Sequence, residues 1–241
     1  MPDVTATNLV SPNRTCAFCN STAKKTKEHV IARCFFMKPL PEVMLTAPAC
    51  DACNNGVSEN EDYLHTALIL SFDCAEHPEA VASFTGPVQR AFELNTRTWK
   101  TLKAAMHIGT GTTAGGSVVN NVPVFTPDLE RIKRVFQKII KGLYFTETGS
   151  MFPLNYEITV YPGFQRTAAD LMVASLVQTG ALTRQFRNNV FRFVFAKDLN
   201  DPAVTLWVMS FYNGYHSIAI THPPGTEASN LAAQMRAAQQ G

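Results

Sequence analysis

Two Cys-x-x-Cys pairs, Cys16 with Cys19 and Cys50 with Cys53, restrict the fold of this chain more than any other feature. Each pair delivers two sulfurs from one tight turn, and two pairs close a tetrahedron around a single zinc ion. In a small module such an ion replaces the core that the module cannot build. The thirty residues between Cys19 and Cys50 exceed the spacing of a compact zinc ribbon, so a strand pair and a loop are expected between the knuckles. Disulfides are not expected. The amino terminus MPDVTATNLVSPNR lacks the charged-then-apolar layout of a secretion signal, which points to a cytoplasmic protein whose thiols stay reduced. Cys34 and Cys74 then read as buried small hydrophobes, with Cys34 near enough in sequence to be an alternative metal contact.

A zinc ion closed by four thiolates has no free coordination position, so any chemistry must come from other groups. Glu28-His29 lies between the knuckles, and Asn54 follows Cys53 directly, where zinc would hold the backbone and fix the direction of the amide. A carboxylate and an amide oxygen suit a hard cation such as Mg²⁺, and a neutral imidazole beside them can take a proton from water. Asn55 is a second candidate amide, though adjacency to Cys53 favours Asn54. His77, His107, His216 and His222 stand isolated and read as surface or structural residues.

Beyond the second knuckle, the acids Glu59, Glu61 and Asp62 ahead of Leu64, Ala67 and Leu68 predict a helix from about Val57 to about Cys74. A short helix near Val88 and strand-like pieces around Trp99 and Met106 follow. The GTGTTAGGSVVNN stretch lacks the Gly-Lys-Ser/Thr ending of a phosphate loop and reads as a hairpin or surface loop. Pro127-Asp128-Leu129-Glu130 starts the clearest helix, whose apolar positions Ile132, Val135, Phe136, Ile139, Ile140 and Leu143 recur through Tyr144. Strands are expected at 155–161, 190–196, 204–211 and 215–221, the last two joined through Asn213-Gly214, with a helix at 166–181 ending near Gly180. The lead-in Met1 to Asn13 has no periodicity, and Ser229 to Gln240 could form a short helix.

The organisation expected is therefore α+β, with a zinc module at 11–72 and an α+β body with an antiparallel sheet at 73–241. No compositional linker separates them, so one shared core is as compatible with the sequence as two. At 241 residues and 46% hydrophobic content the chain can bury a real core, and it has no apolar run long enough to cross a membrane.

The order Cys16-x-x-Cys19, Glu28-His29 and Cys50-x-x-Cys53-Asn54, followed by a helix, resembles the HNH, or ββα-metal, endonucleases built on a zinc-bound treble clef. The resemblance covers about a quarter of the chain. It implies that His29 is the general base that activates water, while Glu28 and Asn54 hold one Mg²⁺ or Mn²⁺ against the scissile phosphate of DNA. Asp is frequent in the family where this chain has Glu28. The family's last histidine has no unambiguous match: Glu61 and His65, one turn apart on the predicted helix, both stand as candidates for a further metal contact.

A formal charge of +2 does not by itself argue for nucleic acid. Local charge adds a small patch: Lys24, Lys25 and Lys27 precede the Glu-His pair, with Arg14, Arg33 and Lys38 nearby, and Glu42, Asp51 and Glu59 offset most of it. Arg131, Arg134, Lys138 and Lys141 recur along one face of the clearest helix and read as a solvated face or a surface that tracks a phosphate backbone. DNA is the expected partner, with RNA left open, and the body is left with recognition, dimerisation into a homodimer, or regulation. The rival expectation is a non-catalytic zinc module that binds nucleic acid or protein.

Overall fold

The computed structural model describes residues 15–23, 25–112 and 117–226. The lead-in, Arg14, Lys24 and the Ser229 to Gln240 stretch lie outside the described residues.

The first knuckle closes through Asn20, whose left-handed backbone (φ 59°) lets its N–H return to the Cys16 carbonyl. Asn tolerates that conformation better than most residues. Ala17 donates to the Pro48 carbonyl at 2.8 Å, which fastens this knuckle to the strand leading into the second one. That strand, β2 (Thr46–Cys50), pairs antiparallel with β1 (Lys25–His29), placing Glu28 opposite Ala47 and His29 opposite Thr46. Cys50 is the last residue of β2 and the N-cap of a short helix, α1 (Asp51–Asn55). After Gly56 the chain continues as α2 (Ser58–Ile69), shorter than the sequence suggests, with a separate 3-10 turn at Phe72–Cys74.

Helical segments α3 (Pro78–Ser83) and α4 (Gln89–Glu93) flank a π-helical turn at Phe84–Val88. Pro87 sits in that turn, where the ring removes one backbone donor and widens the helix. Around Trp99 the expected strand is instead α5 (Arg97–Ala104), capped by Thr96 and stabilised by Phe92 stacked on Trp99 with centroids 3.9 Å apart. The Gly/Thr-rich stretch contributes to a hairpin, β3 (Met106–Thr112) with β4 (Val118–Phe125).

Helix α6 (Leu129–Thr148) begins where Asp128 accepts from the backbone N–H groups of Glu130 and Arg131, and ends at Gly149 in the left-handed region. The remaining elements are β5 (Glu157–Phe164), α7 (Arg166–Gln178), β6 (Leu182–Phe186), β7 (Phe191–Lys197), β8 (Thr205–Phe211) and β9 (Tyr215–His222). They form one antiparallel sheet in the order β5-β9-β8-β7-β6. Alternation along β8 splits its two faces: Trp207, Met209 and Phe211 join the core that contains α6, and Val208 joins the smaller core beneath α7.

The larger core is continuous from Cys16 through Tyr63 and Phe136 to Ala219. The cysteine-bearing residues and the body therefore share one interior. Two close approaches lock them together. A Cβ on Gly214 would lie 1.7 Å from the Asp73 carbonyl oxygen, so the turn between β8 and β9 rests directly on the chain that leaves α2. A Cβ on Gly142 would lie 2.9 Å from both γ-methyls of Val30, so α6 passes the end of β1 at the distance only glycine allows.

Candidate functional site

The four cysteines meet as the spacing requires. The sulfurs of Cys16, Cys19, Cys50 and Cys53 all lie within 4.8 Å of one another, and Cys19 and Cys50 are 3.7 Å apart. A zinc tetrahedron with metal–sulfur bonds of about 2.3 Å has edges of roughly 3.8 Å, so this donor set fits a structural metal ion. The Cys53 backbone N–H, donated toward Cys50, draws that thiol down to about 7, while desolvation pushes the Cys19 and Cys53 thiols up. Cys34 stands apart from the cluster, and burial pushes its thiol up. Cys74 is buried in the core and pushed up to about 12, chiefly by desolvation.

From this frame β1 emerges with its side chains alternating. Glu28 is buried, Lys27 is exposed, and Thr26 and the strand-end His29 are half-buried. Asn54, one residue past the last cysteine, donates from Nδ2 to Thr26 Oγ1 at 2.9 Å. Its amide is thereby held on the Glu28 face of β1, with Oδ1 making no hydrogen bond among the described residues. Asn55 instead donates to the Asp51 carbonyl at 3.1 Å and serves the turn of α1.

Glu28 does not stand alone. The Lys138 ammonium, reaching in from α6, donates to Glu28 Oε1 and to Glu61 Oε1. All three side chains are about nine-tenths buried or more, with exposures of 4% for Lys138, 10% for Glu28 and 8% for Glu61. Desolvation raises the Glu61 carboxyl above its ordinary value, opposed in part by Lys138. Of the two helical candidates, Glu61 is thus the one that meets Glu28. His65 is turned away: its Nε2 lies 3.0 Å from Ser83 Oγ, its ring is edge-on to Phe35, and burial draws its pKa down to about 4.

His29 accepts a hydrogen bond at Nε2 from Arg33 Nε at 2.8 Å, which fixes the neutral Nδ1–H tautomer. Nδ1 is buried without a hydrogen-bonding partner. Burial, followed by the charges of Arg33 and Lys138, lowers the His29 pKa, so the imidazole is neutral at pH 7. The structure therefore brings Glu28 and Glu61 together around one cation, ties Asn54 to β1 through Thr26, and holds His29 at the strand end bonded to Arg33, with no hydrogen bond to Glu28 or Asn54 among the described residues. A cleft of about 620 Å³ opens beside Cys34 and Asp62, the sequence neighbours of Arg33 and Glu61, and is walled by Lys38, Pro87 and Arg90.

The basic stripe of α6 is not a solvated face. Arg131 donates to Asn60 and to the Glu59 carbonyl while lying 4.3 Å over the Tyr63 ring, and Lys141 donates to the Phe18 carbonyl. With Lys138, three of the four cations face the cysteine-bearing part of the chain, and Arg134 alone among them is exposed. Exposed Lys27, Arg33, Lys38 and Arg134 remain near the site. The other histidines serve structure or solvent: His77 caps α3 and bonds the Asn188 carbonyl, His222 bonds Thr159, His216 is buried, and His107 is exposed.

The chain matches no protein-family model, no curated protein and no solved structure. Among the described residues no helix is long and apolar enough to cross a membrane. What stands is an α+β protein with antiparallel sheets and a four-cysteine cluster able to hold a metal ion such as zinc.

Proposed function

We propose that this chain is a metal-dependent endonuclease of the HNH type that hydrolyses DNA phosphodiester bonds. The observation that carries the reading is the placement of Glu28-His29 on a strand anchored between two Cys-x-x-Cys knuckles, with Asn54 hydrogen-bonded to that same strand. Knuckle, β1–β2 hairpin, and helix starting at the second knuckle follow the treble-clef, ββα order that the sequence resembles.

In this reading the four thiolates hold a structural zinc and take no part in the reaction. Glu28, Asn54 Oδ1 and Glu61 hold a Mg²⁺ or Mn²⁺ ion. Their donor set is all oxygen, and the two carboxylates already share a single positive charge, Lys138, as they would share the ion. Such an ion supplies charge stabilisation to the phosphate and the leaving oxygen. His29 is the general base. Its lowered pKa keeps a lone pair available at neutral pH, and that lone pair is released for water when Arg33 turns from Nε2 to a substrate phosphate. Lys27 and Lys38 give the outer face the positive charge that a phosphate backbone meets.

A second reading, a zinc module that binds nucleic acid or protein without cleaving it, draws on two observations: Glu28 is already neutralised by Lys138, and the His29 imidazole is bonded to Arg33 and to neither Glu28 nor Asn54. Plasmid nicking by the purified chain in Mg²⁺ or Mn²⁺, compared with His29→Ala, separates the two.

A further inference from the structure

The triad of Lys138, Glu28 and Glu61 joins α6 to β1 and α2 across 110 and 77 residues of sequence. We infer that Lys138 is the internal competitor of the divalent cation, its ammonium occupying the place between Glu28 and Glu61 that the ion takes and leaving as the ion enters. This rests on the cation role of Glu28 proposed above and adds to it a residue contributed by the body.

Three features support it. First, Oε1 of each glutamate is directed at the same Nζ, so both carboxylates are already arranged around one cationic centre. Second, the charges do not balance. Two carboxylates face one ammonium, leaving a negative charge in a place screened from water, and a divalent ion would neutralise both. Third, the cation is lysine, a compact charge on a flexible four-carbon stem that can withdraw toward solvent, where an arginine fork would be held bidentate. Arg134, one turn earlier on α6, is exposed. Arg131 and Lys141 keep α6 docked while Lys138 leaves.

The test measures metal binding, not cleavage. Mn²⁺ is titrated calorimetrically into the zinc-loaded full chain, wild type and Lys138→Met, without nucleic acid, and both are melted with and without Mn²⁺. Lys138→Met is expected to bind one Mn²⁺ at least tenfold more tightly than wild type. It is also expected to melt lower in the absence of Mn²⁺ and to gain more from its addition. Glu61→Gln in the Lys138→Met background is expected to return the affinity to the wild-type level or below. Unchanged or weaker Mn²⁺ affinity in folded Lys138→Met overturns the inference, as does a variant that stays unfolded when Mn²⁺ is supplied, because Lys138 is then a structural partner only. A chain that nicks DNA while its Mn²⁺ affinity ignores Lys138 refutes the competitor and leaves the nuclease reading intact. Tighter Mn²⁺ binding by a variant of a chain that never nicks DNA does the reverse.

Discussion

Gly142 on α6 faces Val30 at the end of β1 so closely that an added Cβ would lie 2.9 Å from both valine methyls. Val30 is fully buried and β-branched, so it cannot rotate aside. This contact fixes how deeply α6 settles against β1, and so where Lys138, one turn earlier, meets Glu28. Alanine would gain about 1 kcal/mol in helix propensity but must overpack the seam at a cost of roughly 1–3 kcal/mol. Gly142→Ala is therefore expected to destabilise the protein by about 1 kcal/mol in denaturant unfolding, and Val30→Ala in the same chain is expected to recover part of that loss. Additive effects in the double variant would contradict the contact.

Metal analysis of the purified protein is expected to find about one zinc per chain. Because the cysteines sit at one end of a continuous core, Cys50→Ser or strong chelation should lower the stability of the whole chain in one transition. Circular dichroism melts check this, and a folded, zinc-free protein of unchanged melting temperature would contradict it.

His65 gives the stability a pH dependence of definite sign. Its imidazole is held neutral, with a pKa of about 4 in the folded chain against an ordinary 6.5. The unfolded state therefore binds the proton more readily. The contribution is complete above about pH 6.5 and is lost as the pH falls through about 4, amounting to roughly 3 kcal/mol. Subtracting the stability profile of His65→Gln from that of wild type isolates it, and a flat difference over this window would be inconsistent with a buried neutral His65.

His29 is also expected to titrate below 6.5, because burial, Arg33 and Lys138 all disfavour its charged form. Arg33→Met removes both a neighbouring charge and the hydrogen bond to Nε2, so the NMR titration midpoint of His29 should rise relative to wild type. The acid limb of any activity that uses His29 as base should move upward with it. An unshifted midpoint would mean that Arg33 does not control this imidazole.

What the sequence reveals follows from how local each demand is. Zinc ligation needs two tight turns, so the four cysteines are legible from spacing, and α6 is legible because its apolar period and the Asp128 cap lie within one stretch. Trp99 misleads because its aromatic, strand-favouring side chain stacks on Phe92 inside a helix that Thr96 caps. Strand β6 escapes notice because it is an exposed sheet edge with polar residues at its centre. Periodicity places Arg131, Lys138 and Lys141 on one helix face, but not what covers that face. The pairing of Lys138 with Glu28 and Glu61 depends on contacts far apart in sequence and is visible only in three dimensions.

The most direct test of the endonuclease reading is the nicking rate of supercoiled plasmid by the zinc-loaded chain in Mg²⁺ or Mn²⁺, wild type beside His29→Ala. Loss of a general base is expected to slow nicking by about 10²–10⁴-fold while zinc content and melting temperature hold. A wild type that leaves the plasmid intact in both ions, or a His29→Ala variant that nicks at the wild-type rate, would contradict it.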